Sequence, residues 1–249
     1  MKKAIKIISA VLLISGIFNA SASAGQGYRW YCMRKKDHVR PGIEPNMAFL
    51  TEHSGYYLGN DEKVIYLTFD AGYENGNVSR IVDTLEKHGA VGAFFVLDNL
   101  IERNTDLCKK ITRSGSIICN HTCRHHDMSE KSEAEFCDEL HSLEETAKKY
   151  GLAIAPFYRP PKGVFSKENL IWAEKMGYKT VLWSFAYADW DNDKQPSPEK
   201  AIDLIMSNTH NGEIILLHPT SKTNADILDT LLCRWEEEGY RFGSLFELN

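Results

Sequence analysis

The sequence predicts an α/β fold in which a parallel sheet curls into a closed or nearly closed (β/α) barrel. From residue 64 onward, short runs that are almost wholly apolar alternate with longer stretches of helical spacing. Strands this apolar are typical of a parallel sheet that helices cover on both faces. About seven or eight strand–helix units can be traced, close to the number that closes a barrel.

The composition is that of an ordinary globular protein. The chain has 249 residues, of which 43% are hydrophobic and 25% charged, enough for one large domain with a sizeable core. Its net charge is -5, and no long basic stretch follows the first few residues. These charges argue against a nucleic-acid partner.

Residues 1–24 are predicted to be a secretory signal. Residues 1–6 are basic, residues 7–18 are apolar but too short to span a bilayer comfortably, and Ala22-Ser23-Ala24 fits the small-residue cleavage pattern. An uncleaved anchor is the alternative, and both interpretations place the rest of the chain outside the cytoplasmic membrane. After cleavage we expect no stable membrane span.

Residues 25–60 carry little periodicity and are predicted to form an N-terminal extension that wraps a domain formed by residues 61–249. All six cysteines follow the signal. In an exported protein they permit disulfides, and free buried thiols are the alternative. The sequence does not specify an oligomeric state.

Within residues 61–249, strands and helices are expected to follow one another. Apolar runs predict strands at residues 64–69, 92–96, 116–119, 157–159, 180–184, 213–217 and 241–242. Helical spacing, with glycine or capping residues at the ends, predicts helices at residues 77–88, 106–114, 132–150, 167–176, 198–207 and 224–238.

Polar residues follow several of these strands. They are Asp70, His121, Arg159, Asp189 and His218. Because the carboxyl ends of the strands of a barrel meet at one face, we expect these side chains to lie together. Polar residues delivered to one face indicate function rather than packing.

His121 and His125 are spaced so that both can reach one cation, from a helical turn or a tight loop. Two unrelated surface histidines can have the same spacing. Cys119 and Cys123 lie close enough in sequence to complete a closed structural zinc site instead. The position of the pair directly after an apolar strand strengthens the metal interpretation.

Asp70 ends a strand just before Gly72, which places its carboxylate at the sheet rim, with a turn or N-cap role as the alternative. In the segment Arg159 to Gly163, two prolines and a glycine fix the backbone, so that one amide N–H can be aimed at a developing oxyanion. An ordinary proline-rich turn is the alternative. His218 follows a strand and, with an acidic neighbour, can donate a proton.

These segments, in this order, resemble the polysaccharide deacetylase (NodB-homology) family, carbohydrate esterase family four, over residues 64–249. Thr68 to Gly72 is similar to the first motif, His121 to His125 to the second, Arg159 to Gly163 to the third, Asp189-Trp190 to the end of the fourth, and Leu216 to His218 to the fifth. The resemblance implies a distorted (β/α) barrel that removes N-acetyl groups from a sugar with the help of a divalent metal ion.

The resemblance also implies a role for each matched residue. Asp70 takes the position of the catalytic base, and His121 and His125 take the metal positions. Arg159 braces the base, and the backbone N–H of Lys162 faces the oxyanion.

For the rest of the site, the resemblance makes His218 the general acid and Asp189 the residue that tunes it. Trp190 lines the sugar groove, where its face can stack on a pyranose ring, and Leu216 lines the pocket for the acetyl methyl group. The implied cofactor is a divalent metal ion, with zinc favoured and manganese, magnesium or cobalt as alternatives.

Two positions depart from the family pattern. Ala71 stands where the first motif usually has a second aspartate, a metal ligand, and Ala186 stands where the fourth motif usually begins with an aspartate. Two protein ligands remain from the pattern, so Asp70 or water must complete the metal shell. His126 and Asp127 are nearby candidates for a third ligand.

The first departure is shared with a subgroup that deacetylates N-acetylmuramic acid, the delta-lactam-forming enzymes of the spore cortex. Phe69 to Gly76, residues 27–30, Arg159 to Ser166 and Trp183 to Trp190 are similar to that subgroup. The resemblance implies peptidoglycan glycan strands as the partner. It places the protein in the cell wall, the extracellular space or the forespore intermembrane space.

The sequence is also compatible with other functions. The chain can instead be a deacetylase of N-acetylglucosamine or of chitin- or xylan-type glycans. It can be a non-catalytic glycan-binding relic, which Ala71 suggests. A structural zinc protein is a further alternative.

Overall fold

The computed structural model describes residues 26–248. The signal predicted for residues 1–24 lies outside the described residues. Among the helices that are described, none is both long and apolar enough to cross a membrane.

Strands and helices alternate along most of the chain. The strands are β1 (Tyr28–Arg29), β2 (Gly55–Tyr56), β3 (Val64–Ala71), β4 (Gly92–Val96), β5 (Ile117–Asn120), β6 (Ala155–Tyr158), β7 (Val164–Phe165), β8 (Lys179–Val181), β9 (Phe185–Ala186), β10 (Glu213–Leu217) and β11 (Arg241–Phe242). The α-helices are α1 (Asn77–Lys87), α2 (Asp98–Arg103), α3 (Thr105–Arg113), α4 (Glu133–Lys149), α5 (Lys167–Lys175), α6 (Pro198–Met206) and α7 (Lys222–Glu237). Short 3-10 helices span Pro45–His53, Met128–Glu130, Pro161–Gly163 and Leu245–Glu247.

One large sheet carries the fold. Its strands lie in the order β2-β8-β6-β5-β4-β3-β10-β9, and β11 adds a pair beside β3. All of its strand pairs are parallel. In the part of the chain that is described, no ladder joins β9 to β2, so the curled sheet forms an open barrel. The predicted α/β fold with a parallel, barrel-like sheet is confirmed.

The apolar strands and helix faces form the core. Strands β4 and β10 are buried along their whole length, and β3 is buried except at Asp70, as expected for strands covered on both faces. Helix α1 packs Val78, Ile81 and Leu85 into this core. Helix α4 begins with a capping box at Ser132, in which side chains satisfy backbone N–H groups of the first turn.

The N-terminal extension is tightly packed against the barrel. Strand β1 pairs antiparallel with β7, and β2 joins the main sheet as an edge strand beside β8. Trp30 is buried, and its indole N–H donates to the carbonyl oxygen of Trp183 at 2.9 Å. The segment predicted to wrap the domain therefore also supplies part of the sheet.

Besides the two-residue strands β1, β2, β7 and β9 and the short 3-10 helices, which were not expected, one helix and one strand differ from the sequence expectation. Helix α2 was not expected, because its six residues are too few for a helical period to show. The strand expected at residues 180–184 ends at Val181. Beyond that residue, the carbonyl oxygens accept hydrogen bonds from side chains, that of Leu182 from Arg159 and that of Trp183 from Trp30.

The six cysteines are all free thiols. Of the two alternatives that the sequence left open, the structure therefore has free thiols. Three of them, Cys108, Cys119 and Cys123, are buried.

Glu213, at the start of β10, is a buried acid that should make stability depend on pH. Its Oε1 has no hydrogen-bond partner within the described residues, and burial raises the pKa of its carboxyl well above the usual value. As pH rises above about 4.3, the unfolded chain loses this proton while the folded chain keeps it, so stability falls. We expect Glu213→Gln to remove a slope of about 1.4 kcal/mol per pH unit from the free energy of unfolding.

Urea unfolding of both proteins between about pH 5 and pH 8 measures this slope. Glu199→Gln, an exposed acid on α6, is the matched control and should leave the wild-type slope intact. If the free energy of unfolding depends on pH in the same way in wild type and Glu213→Gln, then Glu213 is ionised in the folded protein.

Candidate active site

The carboxyl ends of the strands open into one groove of about 720 Å³. The predicted site residues that line it are Asp70, His121, His125, Lys162, Trp190, Leu216 and His218. The two other predicted residues, Arg159 and Asp189, are fully buried and contact Asp70 and His218 from behind. The structure thus brings together every site residue that the sequence predicted.

Arg159 holds the carboxylate of Asp70 in place. Its Nη1 donates to Oδ1 of Asp70 at 2.9 Å, its Nη2 to the hydroxyl of Thr68 at 2.9 Å, and its Nε to the carbonyl of Val181 at 2.9 Å. The guanidinium carbon lies 4.2 Å from the centre of the Phe95 ring. Because the planar guanidinium is fixed by several partners, the orientation of Asp70 is fixed with it.

Asp70 is ionised in this environment. Burial raises the pKa of its carboxyl, but the charge of Arg159, its hydrogen bond and the nearby His218 outweigh burial and hold the pKa below its usual value. The second oxygen, Oδ2, lies 3.6 Å from Nε2 of His121. One oxygen is therefore bound by the arginine, and the other is a proton acceptor that faces the histidine pair.

The histidine pair offers its nitrogen atoms in the form that a metal ion requires. Nδ1 of His121 lies 2.9 Å from the carbonyl oxygen of Arg159. Since a carbonyl oxygen only accepts, Nδ1 carries a proton. Burial lowers the pKa of His121, which favours the neutral ring with the lone pair of Nε2 toward Asp70. Burial, together with neighbouring His121, lowers the pKa of His125 to about 4. Two neutral imidazoles beside a carboxylate fit a divalent ion such as zinc.

The loop that carries the pair has a strained backbone. Thr122 and His125 have φ angles of 68° and 59°, and positive φ is a genuine outlier for a β-branched residue such as threonine. The side-chain oxygen of Asn120 accepts from the Thr122 N–H at 2.9 Å, and the Thr122 hydroxyl accepts from the His125 N–H at 3.0 Å. Such strain persists where the surroundings fix it, and it clusters at functional sites. The pair is thus presented by a tight loop rather than a helical turn.

The nearby candidates for a third metal ligand have other contacts. Asp127 caps the 3-10 helix that follows it, and His126 is exposed with its Nδ1 3.4 Å from Glu139. Ala71 is fully buried and offers no ligand atom. Among the residues described, Asp70, whose Oδ2 lies 3.6 Å from Nε2 of His121, is the remaining candidate to complete a metal shell, and water is the alternative.

The two cysteines near the pair do not form a closed site with it. Cys119 packs in the core beside Phe95 and Phe157. The thiol of Cys123 donates to Oδ2 of Asp98 at 3.0 Å. The arrangement does not support the structural zinc site that the sequence left open.

His218 is oriented by Asp189. The imidazole Nδ1 lies 2.7 Å from Oδ1 of Asp189, and the backbone N–H of His218 donates to Oδ2 at 2.8 Å. Oδ2 also accepts from the side-chain amide of Asn224 at 2.6 Å. Because Nδ1 is engaged, Nε2 is the nitrogen left for the groove.

Asp189 also favours the protonated form of His218. Burial lowers the pKa of His218, but the hydrogen bond and the charge of Asp189 outweigh burial, so the pKa lies above its usual value. An imidazolium in the groove can donate a proton. The site therefore holds one proton acceptor, Asp70, and one proton donor, His218.

Aromatic and apolar side chains form the walls of the groove. Trp190 is 62% exposed, with its ring centre 6.2 Å from that of His218, and Tyr73 and Trp183 line the same groove. Leu216 is buried in its floor. Exposed aromatic faces with polar groups beside them suit a sugar ring.

The segment that carries Lys162 turns sharply at the groove. Lys162 and Gly163 have φ angles of 57° and 64°, and a Cβ at Gly163 would lie 2.8 Å from the Trp183 ring. Glycine is therefore required there.

Sequence reasoning missed two residues that complete the site. Thr68 lies two positions before Asp70 on the same strand, so strand alternation could have placed both on one face. Asn224 has no such signal, because it reaches Asp189 only when α7 packs against the loop after β9.

Comparison with known proteins agrees with this geometry. A family model described as polysaccharide deacetylase matches residues 58–181. The chain is 38% identical to the peptidoglycan-N-acetylmuramic acid deacetylase PdaA of Bacillus subtilis, over 96% of this chain and 92% of that protein. The solved structure of PdaA, a family 4 carbohydrate esterase, matches with a TM-score of 0.86 and 37% identity over 90% of this chain and 97% of that chain.

Two more distant relatives differ in what they are described to do. A peptidoglycan-N-acetylglucosamine deacetylase of Bacillus cereus is 31% identical over 84% of this chain and 97% of that protein. A pseudoenzyme of carbohydrate esterase family 4 from Bacillus anthracis matches with a TM-score of 0.72 and 27% identity, over 78% of this chain and 68% of that chain. As its motifs predicted, the chain belongs to the polysaccharide deacetylase family, carbohydrate esterase family 4.

Proposed function

We propose that the chain removes N-acetyl groups from peptidoglycan, and that its sugar is N-acetylmuramic acid, as in the formation of muramic delta-lactam in spore cortex. The observation that carries the proposal is an ionised carboxylate fixed by Arg159 in the same groove as a histidine whose proton is held by Asp189. Amide hydrolysis needs both a proton acceptor and a proton donor. Similarity to PdaA along nearly the whole chain supports the choice of sugar.

Asp70 accepts a proton from the attacking water through Oδ2, while Arg159 keeps Oδ1 in place. His121 and His125 would hold a divalent metal ion, zinc in the favoured case and manganese, magnesium or cobalt otherwise, which supplies Lewis-acid polarisation of the acetyl carbonyl. The backbone N–H of Lys162 donates to the oxyanion, and removal of one such donor typically costs about 3 kcal/mol.

His218 completes the reaction. Its Nε2 gives a proton to the sugar nitrogen as the carbon–nitrogen bond breaks, so that acetate and the free amine leave. Leu216 contacts the acetyl methyl group, and the exposed ring of Trp190 stacks on the pyranose. Such a substrate lies outside the cytoplasmic membrane, in the cell wall, the extracellular space or the forespore intermembrane space. That location agrees with the signal predicted for residues 1–24.

Mass spectrometry of glycan strands digested by the protein tests the proposal. Strands that contain N-acetylmuramic acid are expected to lose an acetyl group from that sugar when a divalent metal ion is present. Oligomers of N-acetylglucosamine and acetylated xylan serve as the rival substrates. If acetyl groups leave only N-acetylglucosamine, the chain acts as the Bacillus cereus relative is described to act, and the muramic acid assignment is wrong.

A second candidate is a non-catalytic glycan-binding protein. Ala71, which occupies the position of a family metal ligand, and the similarity to the Bacillus anthracis pseudoenzyme favour it. Such a protein would bind glycan strands without releasing acetate at any metal concentration. Metal-dependent acetate release from the same strands separates the two functions.

Asp189→Asn is expected to shift the pH dependence of acetate release. Without the carboxylate, burial lowers the pKa of His218 against the charge of Asp70 alone, and the amide cannot accept from all the N–H donors that now bind Asp189. A general acid is lost as pH rises through its pKa, so the alkaline limb of kcat/KM should move to lower pH. The pH profile of acetate release measures this shift.

Asp191→Asn provides the matched control. Asp191 lies two residues away and is partly exposed in an ion pair with Lys194. This variant should keep the wild-type alkaline limb. An unmoved limb in Asp189→Asn would mean that another group is the general acid.

A further inference from the structure

Arg29 is presented to the groove by strand β1. Its neighbours Tyr28 and Trp30 turn inward, where Tyr28 packs at 4.9 Å from Phe49 and Trp30 is buried. Because side chains alternate along a strand, Arg29 points to the opposite face, where it is exposed and lines the groove.

The backbone on both sides of Arg29 is fixed. Strand β1 pairs with β7, so that Arg29 lies opposite Val164. The Trp30 N–H donates to the carbonyl of Gly163 at 2.8 Å, and the Trp30 side chain donates to Trp183. The guanidinium therefore extends from a rigid part of the groove wall.

The charge of Arg29 has no carboxylate partner among residues 26–248. The other arginines of the extension are engaged, since Arg34 donates to the carbonyl of Ala186 and Arg40 pairs with Asp61 at 3.6 Å. Lys162 lines the same groove and also takes part in no ion pair of the described chain. The only acid in the described lining is Asp70, which Arg159 already neutralises.

We propose that Arg29, assisted by the side chain of Lys162, forms a carboxylate-binding subsite that selects sugars with an acidic substituent beside the acetamido group. The subsite rests on the proposed function, because N-acetylmuramic acid carries a lactyl ether on the carbon next to the one that bears the acetamido group. A guanidinium binds a carboxylate through two parallel hydrogen bonds. The carboxylate comes either from a free lactyl group or from the peptide attached to it.

Three glycan substrates test the subsite. They are strands with free lactyl carboxylates, the same strands with those carboxylates converted to methylamides, and strands that carry peptides. The enzymes are wild type, Arg29→Gln, Arg29→Lys and Lys36→Gln. Lys36 is an exposed cation of the same extension that lies outside the groove lining, so its variant should behave as wild type.

We expect Arg29→Gln to lose about tenfold in kcat/KM on the carboxylate substrate, mainly through KM. The methylamide substrate should be turned over equally by Arg29→Gln and wild type, and Arg29→Lys should retain part of the activity. Added salt should raise the wild-type KM for the carboxylate substrate more than that of Arg29→Gln, because salt screens an exposed ion pair.

The strands on which Arg29→Gln loses activity identify the source of the carboxylate. A loss confined to peptide-free strands assigns it to the lactyl group, and a loss confined to peptide-bearing strands assigns it to the peptide. If Arg29→Gln loses activity equally on the carboxylate and methylamide substrates, or loses none, the subsite is overturned. The proposed function still stands in that case, provided that the wild-type protein releases acetate. No acetate release by wild type from any strand would instead overturn the proposed function and the subsite with it.

Discussion

Asp70→Asn is expected to lower acetate release by about 100- to 10,000-fold, the range that a general base contributes. The asparagine oxygen can keep the hydrogen bond from Arg159 that Oδ1 now accepts. The amide group that replaces Oδ2 faces His121 but cannot take a proton from water. The loss should therefore fall on kcat, while glycan binding changes little.

The same substitution removes the counter-charge of a buried arginine. Arg159 is fully buried, and breaking one side of a buried ion pair typically costs about 3–5 kcal/mol. The unfolding midpoint must therefore be measured beside the rate, so that lost activity is not confused with lost folding. Bonds from Arg159 to the Thr68 hydroxyl and the Val181 carbonyl remain, which should keep the variant folded.

Asp226→Asn is the matched control for Asp70→Asn. Asp226 forms an ion pair with Arg80 at 2.7 Å on the helix surface, away from the groove lining. The substitution removes a paired carboxylate but changes no residue of the groove, so acetate release should stay at the wild-type level. Near wild-type turnover in Asp70→Asn would mean that the base is another group.

The sequence placed Asp70, His121 and Arg159 at strand ends correctly because the signals there are local. An apolar run that stops at a polar residue marks where a buried strand reaches the surface, and Asp70, His121 and Arg159 all follow that rule. Parallel pairing then brings these ends together whatever the details of the loops. The site residues could therefore be chosen before any contact between them was known.

The contacts that make these residues chemically active could not be predicted in the same way. The left-handed conformation of Thr122 contradicts the preference of a β-branched residue. The bond from Asn224 to Asp189 depends on how a helix packs against a distant loop. Arg29 lies in a strand of two residues, too short for alternation to show its direction in the sequence.

His121→Ala is expected to reduce both acetate release and metal binding to background. The two histidines are the ligands that the matched motifs supply in the described groove, because Ala71 supplies none. Loss of an outer partner of a metal site typically costs about 10–100-fold in metal affinity, so loss of a ligand should cost more. A shell with so few protein ligands should also lose its metal readily to a chelator, and acetate release should return when zinc is added back.

Zinc titration of the chelated protein by calorimetry provides a readout that does not depend on turnover. His141→Ala, an exposed histidine on α4, should bind zinc as wild type does, whereas His121→Ala and His125→Ala should not. Because the Arg159 carbonyl accepts from Nδ1 of His121, the alanine variant also leaves that carbonyl without its partner, so the unfolding midpoint is measured in the same samples. If a folded His121→Ala protein binds zinc with wild-type affinity, then zinc binds at another site. Asp70 and His218 would in that case act without a metal ion beside them.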